Sequence, residues 1–228
     1  MTTYLPNLRD VGGLPVPGGG RVRAGRVLRS AAPMAGDAVP EGLVWPPAVV
    51  LDLRSAGELG SVHPLAGPST RVVNVPLLEA LRPDAHPVRD LTDLYRVMLD
   101  HSSERFVDVL REVADTDGPA LLHCAAGKDR TGVSVALVLR LLDVEHEHVV
   151  ADYLATEKEY DAIDARLSQG PGAANRANLP ASFFTTPVEA IESVLERWDA
   201  ADGGVEGWAV RAGADEKLLD RLRTSLVG

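Results

Sequence analysis

The sole cysteine of the sequence stands in the run His123-Cys124-Ala125-Ala126-Gly127-Lys128-Asp129-Arg130-Thr131-Gly132. A nucleophilic sulfur followed six positions later by a guanidinium suits phosphoryl transfer. Arg130 offers a planar fork matched to two phosphate oxygens. The backbone N–H groups of Ala125 and Ala126, and of the residues up to Arg130, can curl around an oxyanion, and a helix N-terminus adds positive potential. Gly127 lets the backbone approach a ligand closely. Helix ends and cations favour the thiolate, which is the nucleophilic form of cysteine. Thr131 is placed to donate its hydroxyl to the sulfur, and His123 to brace the loop through backbone carbonyls. The plain alternative is a buried structural cysteine beside a salt-bridged arginine. His123, Gly127, Thr131 and Gly132 all falling around the one cysteine argues against that alternative.

A leaving phenol or alcohol needs a proton. The candidate donors are Asp129, inside the loop, Glu79, after a strand candidate, and Asp84, in Arg82-Pro83-Asp84. For Glu79 and Asp84 the plain reading is a solvated loop carboxylate. Lys128 is expected to add positive charge at the pocket rim. Asp52 and Arg54 either shape the pocket or form a structural ion pair, and Arg9 with Asp10 reads mainly as a bracing pair. His146-Glu147-His148 is not read as a metal site. Residues two apart do not share a helix face, and the run is not H-E-x-x-H. No metal and no organic cofactor is expected.

The elements that must position these residues alternate. Strand candidates are 48–53, 71–77 and 120–123, with 21–29 a hairpin or edge strand broken at Gly25. Apolar spacing of three and four predicts helices over 90–99, 103–114, 145–167, 187–198 and 216–226. Residues 131–142 are apolar nearly all round; their β-branched Val133, Val135 and Val138 admit a strand, but the length favours a buried helix. Residues 170–179 read as a Gly/Ala/Asn-rich loop. Strands alternating with helices predict an α/β domain with a central four- to five-stranded, largely parallel sheet flanked by helices and a helical C-terminal third. Ligands in such sheets sit outside the carboxyl ends of the strands, here the regions after Leu53, Leu77 and His123.

Of the 228 residues, 45% are hydrophobic and 25% charged, an ordinary globular mix that excludes a disordered tail or a fibre. The net charge of −10 argues against general nucleic-acid binding and against adhesion to anionic lipid. No apolar run approaches the roughly 20 residues needed to span a bilayer, so no stable membrane insertion is expected. Met1 to Asp10 has neither a basic start nor an apolar stretch, so a Sec-type signal is not expected. One cysteine forms no internal disulfide, which fits a reducing, cytoplasmic setting without excluding non-Sec export.

The run HCAAGKDRTG resembles the phosphate-binding loop of cysteine-dependent tyrosine phosphatases, and most closely the bacterial atypical group with loops of the form HCxxGKDRTG. Asn7-Leu8-Arg9-Asp10-Val11-Gly12-Gly13 is similar to that group's N-F-R-D-x-G-G motif. Leu28-Arg29-Ser30-Ala31 and Leu51-Asp52-Leu53-Arg54-Ser55 are similar to its R-S and D-L-R-S segments. Asp152-Tyr153-Leu154 and Gly204-Val205-Glu206-Gly207-Trp208 resemble its C-terminal helices. The resemblance thus spans nearly the whole chain, read as one phosphatase domain over 1–228. It implies a phosphocysteine intermediate on Cys124, with Arg130 and the loop amides holding the phosphate. The implied substrates are phosphoproteins, phosphotyrosine foremost, with phosphoserine/threonine or phosphoinositides beside it, and phosphate or vanadate as site anions. The sequence lacks the W-P-D of ordinary tyrosine phosphatases, and the resemblance favours Asp129 as the acid. Ala125 stands where phosphoinositide phosphatases often carry a basic residue, which weakens the lipid reading. Rival readings are a rhodanese-type sulfurtransferase, whose loop usually has four intervening residues and not five, and a phosphate-reading module without turnover. A lid made from Phe183-Phe184 and the 90–99 helix is a minority reading beside a packing role.

Overall fold

The structure, a computed structural model, describes residues 4–60, 62–79, 88–168 and 181–228. Among the described residues five short strands form one sheet: β1 (Arg9–Asp10), β2 (Val27–Ser30), β3 (Val49–Asp52), β4 (Arg71–Asn74) and β5 (Ala120–His123), in the order β1-β2-β5-β3-β4. β1 runs antiparallel to β2, and the other pairs are parallel. The register sets Ser30 and Asp52 on either side of His123, and Asn74 beside Asp52. The carboxyl ends of four strands therefore share one edge, where open parallel sheets bind ligands. β2, β3 and β5 are buried throughout, while the edge strand β4 is partly exposed. Strands covered on both faces read as continuous apolar runs, which is why Val49-Val50-Leu51 and Ala120-Leu121-Leu122 stand out in the sequence.

The helices are α1 (Leu91–His101), α2 (Ser103–Asp115), α3 (Asp129–Leu141), α4 (His146–Leu154), α5 (Tyr160–Leu167), α6 (Val188–Asp199), α7 (Gly204–Arg211) and α8 (Glu216–Leu226). α1 and α8 begin where the side chains of Asp90 and Asp215 accept the N–H groups of Asp93 and Leu218, satisfying orphan donors of the first turn. α3 is buried nearly all round because it lies directly against the sheet, walled by the other helices. Val27, Val49, Leu51, Ala120 and Leu122 join the apolar stripes of these helices, with Trp198 and Trp208, in one core. On the opposite face Leu28, Val50 and Leu121 are covered by Leu8, Leu43, Trp45 and Leu65 from connecting segments and by Val72 of β4.

Two expected elements differ. Of the 21–29 stretch only Val27–Ser30 is a strand, and it is not an edge strand, because the two residues of β1 pair along its outer side. The chain turns at Gly25, at φ +75°, where the Asp10 carboxylate accepts its N–H at 2.5 Å. The helix expected over 145–167 is two helices joined by a 3-10 turn, Ala155–Glu159. Tertiary partners hold that turn: the buried Thr156 hydroxyl accepts from Arg9 Nη2 at 3.5 Å, and Glu157 accepts from the Thr186 hydroxyl at 2.6 Å. The loop expected over 170–179 lies outside the described residues.

Candidate active site

β5 ends at His123, and α3 begins at Asp129. Every carbonyl of the intervening loop is taken up from outside. The Cys124 oxygen faces His123 Nδ1 at 3.2 Å, and the Ala125 oxygen accepts from the Ala32 N–H at 3.0 Å. Asn7 Nδ2 donates to the oxygens of Ala126 (3.2 Å) and Gly127 (3.0 Å), and Arg29 Nη2 adds a bond to the latter at 2.7 Å. The Lys128 oxygen accepts the first N–H of the helical ladder, from Gly132. In a trans peptide the N–H lies opposite the preceding C=O. Carbonyls held outward from 124 to 128 therefore turn the N–H groups of Ala125 to Asp129 inward. Gly127 makes the curl sterically feasible. Its φ is +68°, and a Cβ there would meet the Ser30 oxygen at 2.2 Å.

The space these amides face is a cavity of about 420 Å³. Cys124 is 1% exposed yet lines it, together with Arg130, whose guanidinium interacts electrostatically with the cysteine. Arg130 Nη1 and Nη2 donate to the two carboxylate oxygens of Glu58 at 2.5 and 2.8 Å. Burial disfavours the charged guanidinium, but Glu58 and the Cys124 sulfur more than offset it and hold Arg130 cationic. Burial raises Glu58, and Arg130 outweighs that and leaves the carboxyl below its usual range. Glu58 stands in a Ser55-x-x-Glu58 capping box after β3, where Ser55 N–H donates to its Oε2 at 3.0 Å. It was not among the residues singled out from the sequence. The capping-box spacing at a strand's carboxyl end was the available signal.

Asp129 lines the cavity from the first turn of α3 and accepts the Tyr95 hydroxyl at 2.8 Å. Tyr95 in turn meets the Tyr153 hydroxyl at 2.9 Å, and burial with the neighbouring Asp129 pushes both phenols above their usual pKa. Ile163, Leu167, Phe183 and Phe184 give the cavity an apolar wall. Phe183 and Phe184 thus line the site, whereas α1 packs on α6 and meets the site through the Tyr95 hydroxyl. Lys128 does not stand free at the rim. It is 3% exposed, and its Nζ donates to the carbonyl oxygens of Phe183 (2.7 Å) and Thr185 (2.8 Å), because a buried ammonium must find acceptors. Lys128 so ties the loop to the aromatic wall.

His123 belongs to a relay. The Leu65 N–H donates to His63 Nδ1 (3.2 Å), which leaves the proton of neutral His63 on Nε2, 3.0 Å from His123 Nε2. His123 then carries its proton on Nδ1, facing the Cys124 oxygen. Burial pushes His123 down to about 4, and His63 is lowered by the same cause. Asp52 lies 3.8 Å from His123 and is held by Arg54 through both oxygens, at 2.9 and 2.7 Å. Asp52, His63 and His123 are close enough to share a cation. The proton assignment opposes one: a metal on His63 Nε2 would move its proton to Nδ1, against the Leu65 N–H. At the start of α4, His146 pairs with Asp199 at 2.9 Å, and Glu145, Glu147 and His148 cluster at the surface.

Other expected residues fall differently. The Thr131 hydroxyl is buried and makes no hydrogen bond, to Cys124 or to any other group among the described residues. Glu79 lies at the surface, where its Oε2 accepts the Ala56 N–H at 3.1 Å, and it does not line the cavity. Asp84 lies outside the described residues. Arg9 and Asp10 do not pair with each other, since successive side chains of a strand point to opposite faces. Asp10 accepts the N–H groups of Gly12 and Gly25, while Arg9 donates to Asp152 at 2.8 Å. Asp152 also pairs with Arg29, so one carboxylate holds two guanidiniums. Of the regions beyond strand ends, those after Leu53 and His123 reach the cavity, and so does the region after β2, through Ala32 and Met34.

Comparison with known proteins shows the family. The model of a tyrosine phosphatase family matches residues 2–228. A protein of Cupriavidus necator named as a candidate tyrosine-protein phosphatase is 29% identical over 220 residues, covering 87% of this chain and 79% of its own. A tyrosine-protein phosphatase of Nostoc commune is 31% identical over 143 residues, covering 60% of this chain and 49% of its own. The triple specificity protein phosphatase PtpB of Mycobacterium tuberculosis is 28% identical over 153 residues, covering 61% and 55%. The chain thus spans about half the length of the last two.

Proposed function

The chain belongs to the tyrosine phosphatase family and is a cysteine-dependent phosphatase, and we propose that its one domain, over 1–228, hydrolyses phosphotyrosine in proteins at the cavity above Cys124. The observation that carries this reading is that Cys124, Arg130 and the loop residues Ala125, Ala126, Lys128 and Asp129 line one cavity. The Cys124 thiolate attacks phosphorus as the bond to the leaving oxygen breaks, and Asp129 passes that oxygen a proton. The N–H groups of Ala125 to Asp129 and the guanidinium of Arg130 receive the equatorial oxygens. Water then attacks the phosphocysteine and gives a proton to the Asp129 carboxylate as the S–P bond breaks, releasing phosphate and restoring both the thiolate and the acid. Inorganic phosphate and vanadate are proposed to bind in the same place. This chemistry requires no cofactor.

The apolar wall favours an aromatic ring over a short alkyl side chain. Arg54, Lys128 and Arg166 line the cavity but are engaged with Asp52, with backbone carbonyls and with Asp37. Extra phosphates on an inositol ring therefore meet cations already paired, which places phosphoinositides, with phosphoserine and phosphothreonine, behind phosphotyrosine. Among the described residues no helix is long and apolar enough to cross a membrane. A catalytic thiol survives best in a reducing compartment, which supports a cytoplasmic location. The test is a panel of phosphotyrosine, phosphoserine/threonine and phosphoinositide substrates with Cys124→Ser as control. The variant should lose turnover and still bind a phosphotyrosine peptide. Turnover equal to wild type would remove Cys124 from its role.

A further inference from the structure

We infer that Asn7 is a positioning residue of the phosphate-binding loop: its side-chain amide, oriented by Arg9, holds two successive carbonyls outward and thereby aims the amides that receive the phosphate. The inference rests on the phosphatase reading above.

Asn7 lies 119 and 120 positions from the carbonyls it meets and is 1% exposed. One nitrogen with two hydrogens reaches both Ala126 and Gly127, which no hydroxyl or carboxylate could do. Its orientation is determined by its other end. Oδ1 accepts from Arg9 Nη1, whose guanidinium is in turn held by Asp152, so the NH2 group must face the loop. A flipped amide would set its NH2 against a guanidinium and its oxygen against two carbonyls. The backbone at Asn7 is left-handed, at φ +59°, a region that asparagine tolerates better than most residues. That conformation, with the bond from the Asn7 N–H to Glu159 Oε2 at 3.4 Å, delivers the side chain to the back of the loop.

The peptide units so held are Ala126–Gly127 and Gly127–Lys128, whose N–H groups belong to Gly127 and Lys128. Arg29 supports only the second of these. Among the described residues Asn7 is the group that donates to the Ala126 oxygen, so without it that unit is free to rotate and lose one oxyanion donor.

The test uses the full chain with Asn7→Asp and Asn7→Gly. Aspartate keeps the shape and turns a carboxylate oxygen towards the carbonyls. Glycine adopts φ +59° without strain and only deletes the amide, so it serves if the aspartate variant does not fold. Turnover of nitrophenyl phosphate, the inhibition constant for vanadate and the melting temperature are measured together. Thr70→Val, which removes a buried bond to the Pro47 oxygen far along the chain from the loop, is the control for general destabilisation. Loss of one oxyanion donor lowers kcat by about 100-fold. We expect that loss, with vanadate binding at least tenfold weaker, in both Asn7 variants and not in Thr70→Val. Vanadate binding and turnover within about threefold of wild type in a folded Asn7→Gly would overturn the role of Asn7. So would an equal loss in Thr70→Val. Wild-type protein that neither turns over nitrophenyl phosphate nor binds vanadate would overturn the phosphatase reading instead.

Discussion

Replacing Asp152 by asparagine removes the anion that two guanidiniums share and leaves the shape unchanged. Arg29 is wholly buried, and Asp152 is 11% exposed at its side chain. Burial alone would raise the Asp152 carboxyl, but Arg29 and Arg9 outweigh it and hold it below the usual range. Breaking a buried pair by removing one partner costs about 3–5 kcal/mol, because the other charge stays desolvated. The lower end applies here. Arg9 is 22% exposed at its side chain and can recover water, and Arg29 keeps its bond to the Gly127 oxygen. A loss of about 3 kcal/mol, against an unfolding entropy of about 0.5 kcal/mol/K for a chain of this length, lowers Tm by roughly 6 °C. Thermal melts of wild type and Asp152→Asn at low and at molar salt would measure it. Because the pair is shielded from solvent, the difference should persist in high salt, unlike that of a surface pair. A shift under about 2 °C, or one that vanishes in molar salt, would refute the view of Asp152 as a buried hub.

Glu58→Gln should lower kcat/KM about tenfold, an effect of ~1.4 kcal/mol, since a partly exposed charge-assisted fork is discounted for solvent. Unchanged kinetics would show that Arg130 needs no partner to hold its place. Asp129→Asn should lose more kcat on alkyl phosphates than on nitrophenyl phosphate, whose leaving group needs less protonation, and equal losses would point to loop structure instead. Stability should be full above about pH 6.5 and fall as the pH drops towards 4. Across that window the unfolded chain binds a proton at position 123 that the folded chain, with His123 lowered to about 4, does not accept. The total loss is on the order of 3 kcal/mol. Urea unfolding midpoints equal at pH 7 and pH 4.5 would contradict it.

Much of the site was legible because it is local. The strand-loop-helix run from Ala120 to Leu141 encodes its own geometry: apolar residues for the strand, Gly127 for the curl, and an apolar helix to follow. The parallel core showed for a similar reason, since strands buried on both faces cannot hide their composition. What escaped was pairing between distant segments. β1 is two polar residues long and has no periodicity to detect. The break at Ala155–Glu159 is held by Arg9 and Thr186, whose positions no helical pattern contains. Lys128 reads as a free rim charge until the carbonyls of Phe183 and Thr185 are found beside it.

The sequence by itself determined that the one cysteine, the Arg130 guanidinium and the loop between them lie together, because six consecutive steps of chain leave little freedom in where these groups can lie. Only the tertiary structure decided which carboxylate meets Arg130, 72 positions away, and which amide turns the loop's donors inward, 119 positions away. Those contacts form when packing brings separate strand ends to one edge of the sheet, and local chain geometry carries no information about which side chains will arrive there.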